Sequence, residues 1–238
     1  MKVLLAIPIY NEERYVDAVL TKAKQYISDI LVIDDGSTDG TSNVLTRHKD
    51  LSVLTHTCNI GYGHSLIDAF HYGKLHDYDW IITMDCDDQH EPQCIPAFLT
   101  EIRKRTFDII SGSRYLQTSP DQINKVPPER LAINRGITYL LKEYLDLNLT
   151  DAFCGFKAYR LASLSRLSLT VPGYGLPLQI WAQAAKQGLI IKEIAVPLIY
   201  HDPSRQFQGK LEDSDHRFAY YTDIMFQEIK RPLNIRTA

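Results

Sequence analysis

The chain predicts an α/β protein built on a doubly wound, mostly parallel sheet. Two observations carry this. Short apolar runs alternate with helix-periodic segments through the first half, and strands that alternate with helices pair in parallel through right-handed crossovers. The same runs end in "PIYNEE", "DDGSTDG", "NIGYGHS", "DCDDQH" and "SGSRY". These polar, glycine-rich stretches fall where such a sheet collects ligands, at the carboxyl ends of its strands.

The elements follow in order. Residues 2–7 are a strand-like run, and Asn11 is placed to cap a helix whose first turn carries Glu12 and Glu13, favourable at the positive end of its dipole. Tyr15, Val16, Val19, Leu20 and Ala23 recur at helical spacing. Residues 30–33 form a second strand, closed by turn formers. Residues 51–54, 80–84 and 107–110 supply three more strands. Pro92 suits a first helical turn, and Ile95, Phe98, Leu99 and Ile102 line one face after it. The second half is less regular. Residues 115–128 read as a polar, proline-containing loop, 129–145 as a helix and "DAFCGFKAYR" as an irregular segment. A helix over 179–187 ends at Gly188, "LIIKEIAVPLIY" is strand-like, and 216–230 is a last amphipathic helix. With no repeat, low-complexity segment or dividing linker, residues 1–238 read as one domain.

Composition narrows the class. The 238 residues are 45% hydrophobic and 23% charged, ordinary globular values that permit a sizeable core. A net charge of −3 gives no electrostatic case for nucleic acid. Cys58, Cys86, Cys94 and Cys154 lack CxxC spacing, which argues against zinc or a disulfide scaffold and for a reducing compartment. The apolar start is too short for a signal peptide, and no run approaches the ~18 apolar residues of a membrane span. The expectation is a cytoplasmic protein, peripheral to the inner face of a membrane.

The strand over 80–84 runs into Asp85, Asp87 and Asp88. Like charges repel and resist desolvation, so a crowd of acids at a core strand end asks for a cation. If the strand direction persists, Asp85, Asp87 and Gln89 share a face. Magnesium or manganese takes about one or two protein carboxylates together with phosphates and water. The alternative reading is a solvated acidic turn ahead of the Pro92 helix.

Taken together and in order, "IPIYNEE", "VIDDGSTDGT", "NIGYGHS", "MDCDDQHEP", "GSRY" and "DAFCGFKAYR" resemble the family 2 glycosyltransferases of GT-A fold. Within that family the chain is most similar to the dolichol-phosphate and polyprenol-phosphate sugar synthases, which share "D-x-D-x-Q-H-x-P" and "G-S-R-Y". The resemblance extends over residues 2–211. It implies a nucleotide-sugar-binding half (1–114), an acceptor half (115–238), Mg2+ or Mn2+ as cofactor, and a GDP- or UDP-linked sugar as donor. By the same resemblance Pro8, Tyr10 and Glu12 line the nucleoside pocket and Asp35 contacts base or ribose. The alternative for Asp34 and Asp35 is a turn, since "DDGSTDG" is rich in turn formers, and Asp34, Thr38 and Asp39 read as structural. Asp85 lies near ribose and metal, Asp87 is the main metal ligand and Gln89 an auxiliary one. Gly61 and Gly63 either bring backbone close to the donor or start a helix. His64, His71, His76 and His90 have no ligand spacing and read as surface, capping or turn residues.

Arg114 is implied to bind the donor diphosphate or the acceptor phosphate, for which a guanidinium fork is suited. Arg130, Asn134 and Arg135 sit near the helix after the proline-rich loop, and the two arginines do not share a face. Arg130 and Asn134 are read toward the acceptor. Arg205 and Lys210, in "HDPSRQFQGKL", match a basic loop that closes over the diphosphate in related enzymes. The chain departs from the family at "GYGLPLQIW": Gln179 stands where many members carry an acid proposed as general base. Glutamine cannot take a proton, whereas a lipid phosphate acceptor needs no base. Tyr220, Tyr221, Ile224, Met225 and Ile229 form one face of the last helix, either as an interfacial anchor or as core packing. The function expected is metal-dependent, inverting sugar transfer to a polyprenyl phosphate. The alternatives are transfer to a sugar hydroxyl in a cell-surface polysaccharide, nucleotidyl transfer, and an inactive nucleotide-sugar-binding homologue.

Overall fold

A computed structural model describes residues 1–86, 91–199 and 209–232. The first half forms β1 (Val3–Ile9), α1 (Val16–Ala23), β2 (Ile30–Asp34), α2 (Thr41–Leu45), β3 (Ser52–Thr55), α3 (Tyr62–Leu75), β4 (Trp80–Thr83), α4 (Ile95–Arg103) and β5 (Ile109–Ser113). The second half forms α5 (Pro120–Ile123), α6 (Pro128–Leu145), β6 (Lys157–Arg160), α7 (Leu161–Leu164), α8 (Leu176–Lys186), β7 (Ile191–Ala195) and α9 (Ser214–Lys230). The strands make one sheet in the order β3-β2-β1-β4-β6-β5-β7.

Side-chain alternation along the strands divides the core. On β1, Leu4 and Ala6 face a cluster with Leu66, Phe70, Ile137, Leu178, Trp181 and Met225, so α3, α6, α8 and α9 cover that side. Leu5, Ile7 and Ile9 face Val16, Leu20, Val44, Ile95 and Phe98, contributed by α1, α2 and α4. Both faces are therefore apolar, as a largely parallel sheet requires.

Three local expectations change. "DAFCGFKAYR" contains β6, which lies mid-sheet and pairs antiparallel with both β4 and β5. Four residues with a cation at each end give no apolar alternation to read. Asn11 does not cap α1: it holds φ 57°, and its side-chain oxygen accepts from the backbone N–H of Thr38 and Asp39 at 2.7 and 3.3 Å. It clamps the β2–α2 loop, and α1 starts later, at Val16. The proline-rich loop contains the short α5, opened by a capping box between Ser119 and Gln122. On α9, Tyr221, Ile224 and Met225 are 2%, 8% and 0% exposed, so this face is core packing and not a membrane anchor.

Candidate active site

The carboxyl ends of β1, β2 and β4 point to one edge of the sheet, and the first of the expected residues gather there. Pro8 is buried in β1 opposite Ile33, while Tyr10, just past the strand, is 37% exposed. The Glu12 backbone N–H donates to Thr41 Oγ1 at 2.8 Å. Asp34 accepts from the Ser37 N–H and the Ser42 hydroxyl, both at 2.9 Å, and so pins its own loop. Asp35 is 4% exposed. Its Oδ1 accepts from the Ile60 N–H at 2.9 Å and meets His56 Nδ1 at 2.7 Å. Its Oδ2 accepts from the Gly61 N–H at 2.9 Å. Asp35 therefore builds the turn between β3 and α3, whatever else it contacts.

Asp85 stands two residues past the end of β4, after Met84. The Tyr62 hydroxyl donates to its Oδ1 at 2.9 Å. Burial first, then the Asp85 charge, push the Tyr62 hydroxyl well above its usual pKa, which keeps it a donor. The whole Asp85 carboxylate lies over Gly155, where a Cβ would come within 2.1 Å of Oδ2 and 2.6 Å of Oδ1. An oxygen donor held this way suits a hard divalent cation. Asp87 and Gln89 lie outside the described residues, as do Asp88, His90 and Arg205, and so does the side chain of Lys210. Among the described residues no group of three or more His, Cys, Asp or Glu side chains is placed to hold a metal.

Arg114 follows β5 and spends its fork inside the protein. Its Nε and one terminal nitrogen donate to Asp151 at 2.7 and 2.9 Å, and its backbone N–H reaches the same carboxylate at 3.1 Å. Burial opposes the Arg114 charge, but Asp151 overrides it and holds the guanidinium well above its usual pKa. Asp151, 0% exposed, is penalised by burial, yet Arg114 keeps it below the usual carboxylate range. Such a pair orders the end of β5 and leaves only part of the guanidinium for a phosphate.

Lys157, on β6, is 2% exposed. Its ammonium donates to the Cys154 carbonyl and lies 5.4 Å from the Trp181 ring centroid. Burial lowers its pKa, with the Asp151 and Asp85 carboxylates among the groups that oppose the shift. It sits on the strand that joins β4 to β5 in the sheet. Nothing in the sequence singled out Lys157, Asp151 or Tyr62. A lysine inside an apolar run and a tyrosine between two glycines are the signals that were there to be read.

The acceptor-side expectations resolve differently. Asn134 is buried, its amide donating to the Thr150 carbonyl at 2.8 Å and accepting from the Ala152 N–H at 3.0 Å. It fixes the 150–152 segment. Gln179 is 1% exposed. Its oxygen accepts from the N–H groups of Thr170 and Val171 at 2.7 and 3.0 Å, and its nitrogen donates to Thr170 Oγ1 and Glu228 Oε1 at 3.1 and 2.7 Å. Gln183, one turn on, donates to Glu228 Oε2 at 2.9 Å. Both glutamines thus tie α8 to α9. Arg130, on the first turn of α6, is partly buried, and its charge is felt at the Tyr221 hydroxyl. The wall there is aromatic: Tyr62 stacks on Tyr174 with centroids 5.5 Å apart, and Phe153 and Tyr220 pack on Tyr221 at 4.6 and 5.6 Å.

Gly61 and Gly63 serve the fold. Gly61 opens α3 at φ 109°, and a Cβ there would stand 2.5 Å from the Pro172 carbonyl oxygen. A Cβ on Gly63 would stand 2.3 Å from the Val171 carbonyl oxygen. The close-approaching backbone is thus the 171–173 loop of the second half, joined by His64 N–H to Pro172 O at 3.1 Å.

The profile of glycosyl transferase family 2 matches residues 5–168. An undecaprenyl-phosphate mannosyltransferase of Micrococcus luteus is 32% identical over 208 residues, covering 84% of each chain. A polyprenol monophosphomannose synthase of Mycolicibacterium smegmatis is 25% identical over 205 residues, covering 82% of this chain and 76% of its own. Among solved structures, glucosyl-3-phosphoglycerate synthase of Mycobacterium tuberculosis, in complex with Mn2+, UDP and phosphoglyceric acid, superposes with TM-score 0.73. That match covers 97% of this chain and 79% of the other at 15% identity, and it places the sheet in the GT-A class.

Proposed function

This chain belongs to glycosyl transferase family 2, and from that premise we propose that it transfers a sugar, with inversion, from a nucleotide-diphosphate sugar to a polyprenyl phosphate. The observation that carries the acceptor choice is the likeness to an undecaprenyl-phosphate mannosyltransferase and a polyprenol monophosphomannose synthase. Gln179, where a base is expected, is turned into the core with its amide fully engaged and supplies none. The buried acids Asp151 and Glu228 and the half-buried Glu193 are likewise held by donors within the fold. An acceptor that arrives ionised fits such a site. A phosphate monoester, with a second pKa of about 6, is its own nucleophile near neutrality, whereas a sugar hydroxyl forgoes roughly 10²–10⁴ in rate without a base. Arg130 and the partly exposed rings of Tyr62, Tyr174 and Phe153 suit an anionic head on an apolar chain. The names of the Micrococcus and Mycolicibacterium relatives support the same lipid class and favour a mannosyl group.

On the donor side, Tyr10, Glu12 and Asp35 line the nucleoside, and Asp85 with Asp87 and Gln89 would hold Mg2+ or Mn2+. Bound there, the cation neutralises the departing diphosphate. The Tyr62 hydroxyl donates to Asp85 and orients it. Arg205 and Lys210 would add positive charge for the leaving group, and Arg114 fixes the end of β5. The acceptor oxygen then attacks the anomeric carbon from the opposite face. No helix among the described residues is long and apolar enough to cross a membrane. The proposed placement is therefore peripheral, at the cytoplasmic face where the lipid phosphate is presented.

The test is a transfer assay with GDP- and UDP-linked sugars, a short-chain polyprenyl phosphate and the matching polyprenol, with and without Mn2+. Product from the phosphate alone, and only with metal, is the expected result. Transfer to a neutral hydroxyl with the lipid phosphate inert would instead establish the polysaccharide alternative.

A further inference from the structure

His56 stands directly after β3, and its backbone N–H donates to the Asp34 carbonyl at 2.9 Å. Its ring is set between two carboxylates. Nδ1 lies 2.7 Å from Asp35 Oδ1, and Nε2 lies 3.1 Å from Oδ2 of Asp68, on the second turn of α3. The other Asp68 oxygen has His71 Nδ1 at 4.0 Å. The His56 side chain is 9% exposed, so the ring has little surface of its own to offer a ligand. Its reach into the site runs through Asp35.

We propose that His56 is a positioning residue for the nucleoside, and that it acts by fixing the angle of the Asp35 carboxylate. The proposal rests on the reading of Asp35 as a nucleoside contact. A carboxylate only accepts hydrogen bonds, and it has about four lone-pair sites. Among the described residues Asp35 fills three of them from within the fold, with His56 and Ile60 on Oδ1 and Gly61 on Oδ2. One site remains, on Oδ2, and a nucleoside donor meets it only if the carboxylate keeps its angle. Ile60 and Gly61 both belong to the turn before α3, so they fix the carboxylate relative to that turn alone. His56 comes from a different strand end, and Asp68 holds its far nitrogen from within α3. The carboxylate is thereby referred to β3 and to the body of α3 as well. A ring nitrogen that bonds a carboxylate must donate, and a bond to an ionised acceptor is of the stronger, charge-assisted kind. The residue type follows too, because histidine puts two such donors on opposite edges of one rigid ring.

The test compares His56→Asn with His56→Gln in the full chain, titrated with GDP and with UDP in the presence of Mn2+. The amide nitrogen of asparagine stands where Nδ1 stands and keeps the donor to Asp35. That of glutamine stands where Nε2 stands and keeps only the contact with Asp68. Each variant loses one bond of the ring, so their melting temperatures should fall alike, and a ring that serves the fold alone predicts equal nucleotide affinity for both. A hydrogen bond to a charged group is worth roughly 10- to 100-fold in an equilibrium. Two backbone donors remain on Asp35, so His56→Gln should raise the nucleotide dissociation constant by about tenfold, the low end of that range, and His56→Asn by less than about threefold. Donor KM should follow the dissociation constant, while kcat at saturating donor, with farnesyl phosphate as acceptor, keeps its wild-type value. Equal affinities in the two variants, or wild-type affinity in His56→Gln, would overturn the proposal. Asp35→Asn separates the two levels. If it loses nucleotide affinity while His56→Gln keeps it, only this inference fails; if it binds GDP and UDP as the wild type does, the reading of the site fails with it.

Discussion

Replacing Gln179 by glutamate would set two carboxylates face to face. The Gln179 nitrogen lies 2.7 Å from Glu228 Oε1, and the two residues are 1% and 3% exposed. The substitution also removes the donor to Thr170 Oγ1 while keeping an oxygen for the Thr170 and Val171 N–H groups. Two carboxyl groups at this range repel, the Arg231 guanidinium 3.2 Å from Glu228 Oε1 offsets only part of it, and the pair is expected to hold a proton. If one of the two rises by about two units above an unfolded value near 4.3, the cost at pH 8 is about 3 kcal/mol. The sign is fixed: the folded variant holds a proton that the unfolded chain has lost, so its stability falls as pH rises from about 4.3 to about 6.3 and then levels. For a chain of this size 3 kcal/mol corresponds to roughly 6–12 °C in melting temperature. Thermal melts of wild type and Gln179→Glu at pH 5 and pH 8 measure it, and Gln179→Glu/Glu228→Gln should recover most of the loss. An equal penalty at both pH values, or none, would refute the buried-pair reasoning. Activity per folded molecule should change less than tenfold, because the new carboxylate faces Glu228 and not the acceptor.

Asp35→Ala should lower stability as well as nucleotide affinity, by about 2–4 kcal/mol in a urea melt, because it strands the N–H groups of Ile60 and Gly61 along with His56; stability within 0.5 kcal/mol of wild type would mean the turn stands without it. Asp87→Asn should keep the melting temperature and lose most metal-dependent nucleotide affinity, read by titration with and without Mn2+. Gly63→Ala puts a Cβ 2.3 Å from the Val171 carbonyl oxygen, beyond what relaxation absorbs, and should cost about 1–3 kcal/mol with a rise in acceptor KM.

The parallel half of the fold was legible because its strands are apolar on both faces and end in turn formers, a pattern that survives without tertiary context. Lys157 and Arg160 hid β6, since a buried lysine is tolerable only where a carbonyl and an indole face wait for it, and neither is visible locally. Asn11 looked like a cap because caps and left-handed turns draw on the same residues; the choice was made by Thr38 and Asp39, far along the chain. Of the site, Asp35 and Asp85 were marked by position at strand ends. Gln179 and Asn134 were placed in the cleft by alignment, yet their helices turn them into the core, where an amide can satisfy buried backbone groups on both its ends.

β5 reaches the rest of the sheet only through β6, with Trp80 opposite Arg160 and Ile109 opposite Tyr159. During synthesis, a ribosome that has released residues 1–114 has made β4 with one side open and β5 with no neighbour among the strands yet emerged. Such an open strand side is a template for wrong pairing, and it persists until residue 160 clears the exit tunnel and the chain has folded back. Splitting the gene near position 114 should therefore yield two insoluble pieces rather than two working halves, and tags or insertions belong outside the 80–160 interval.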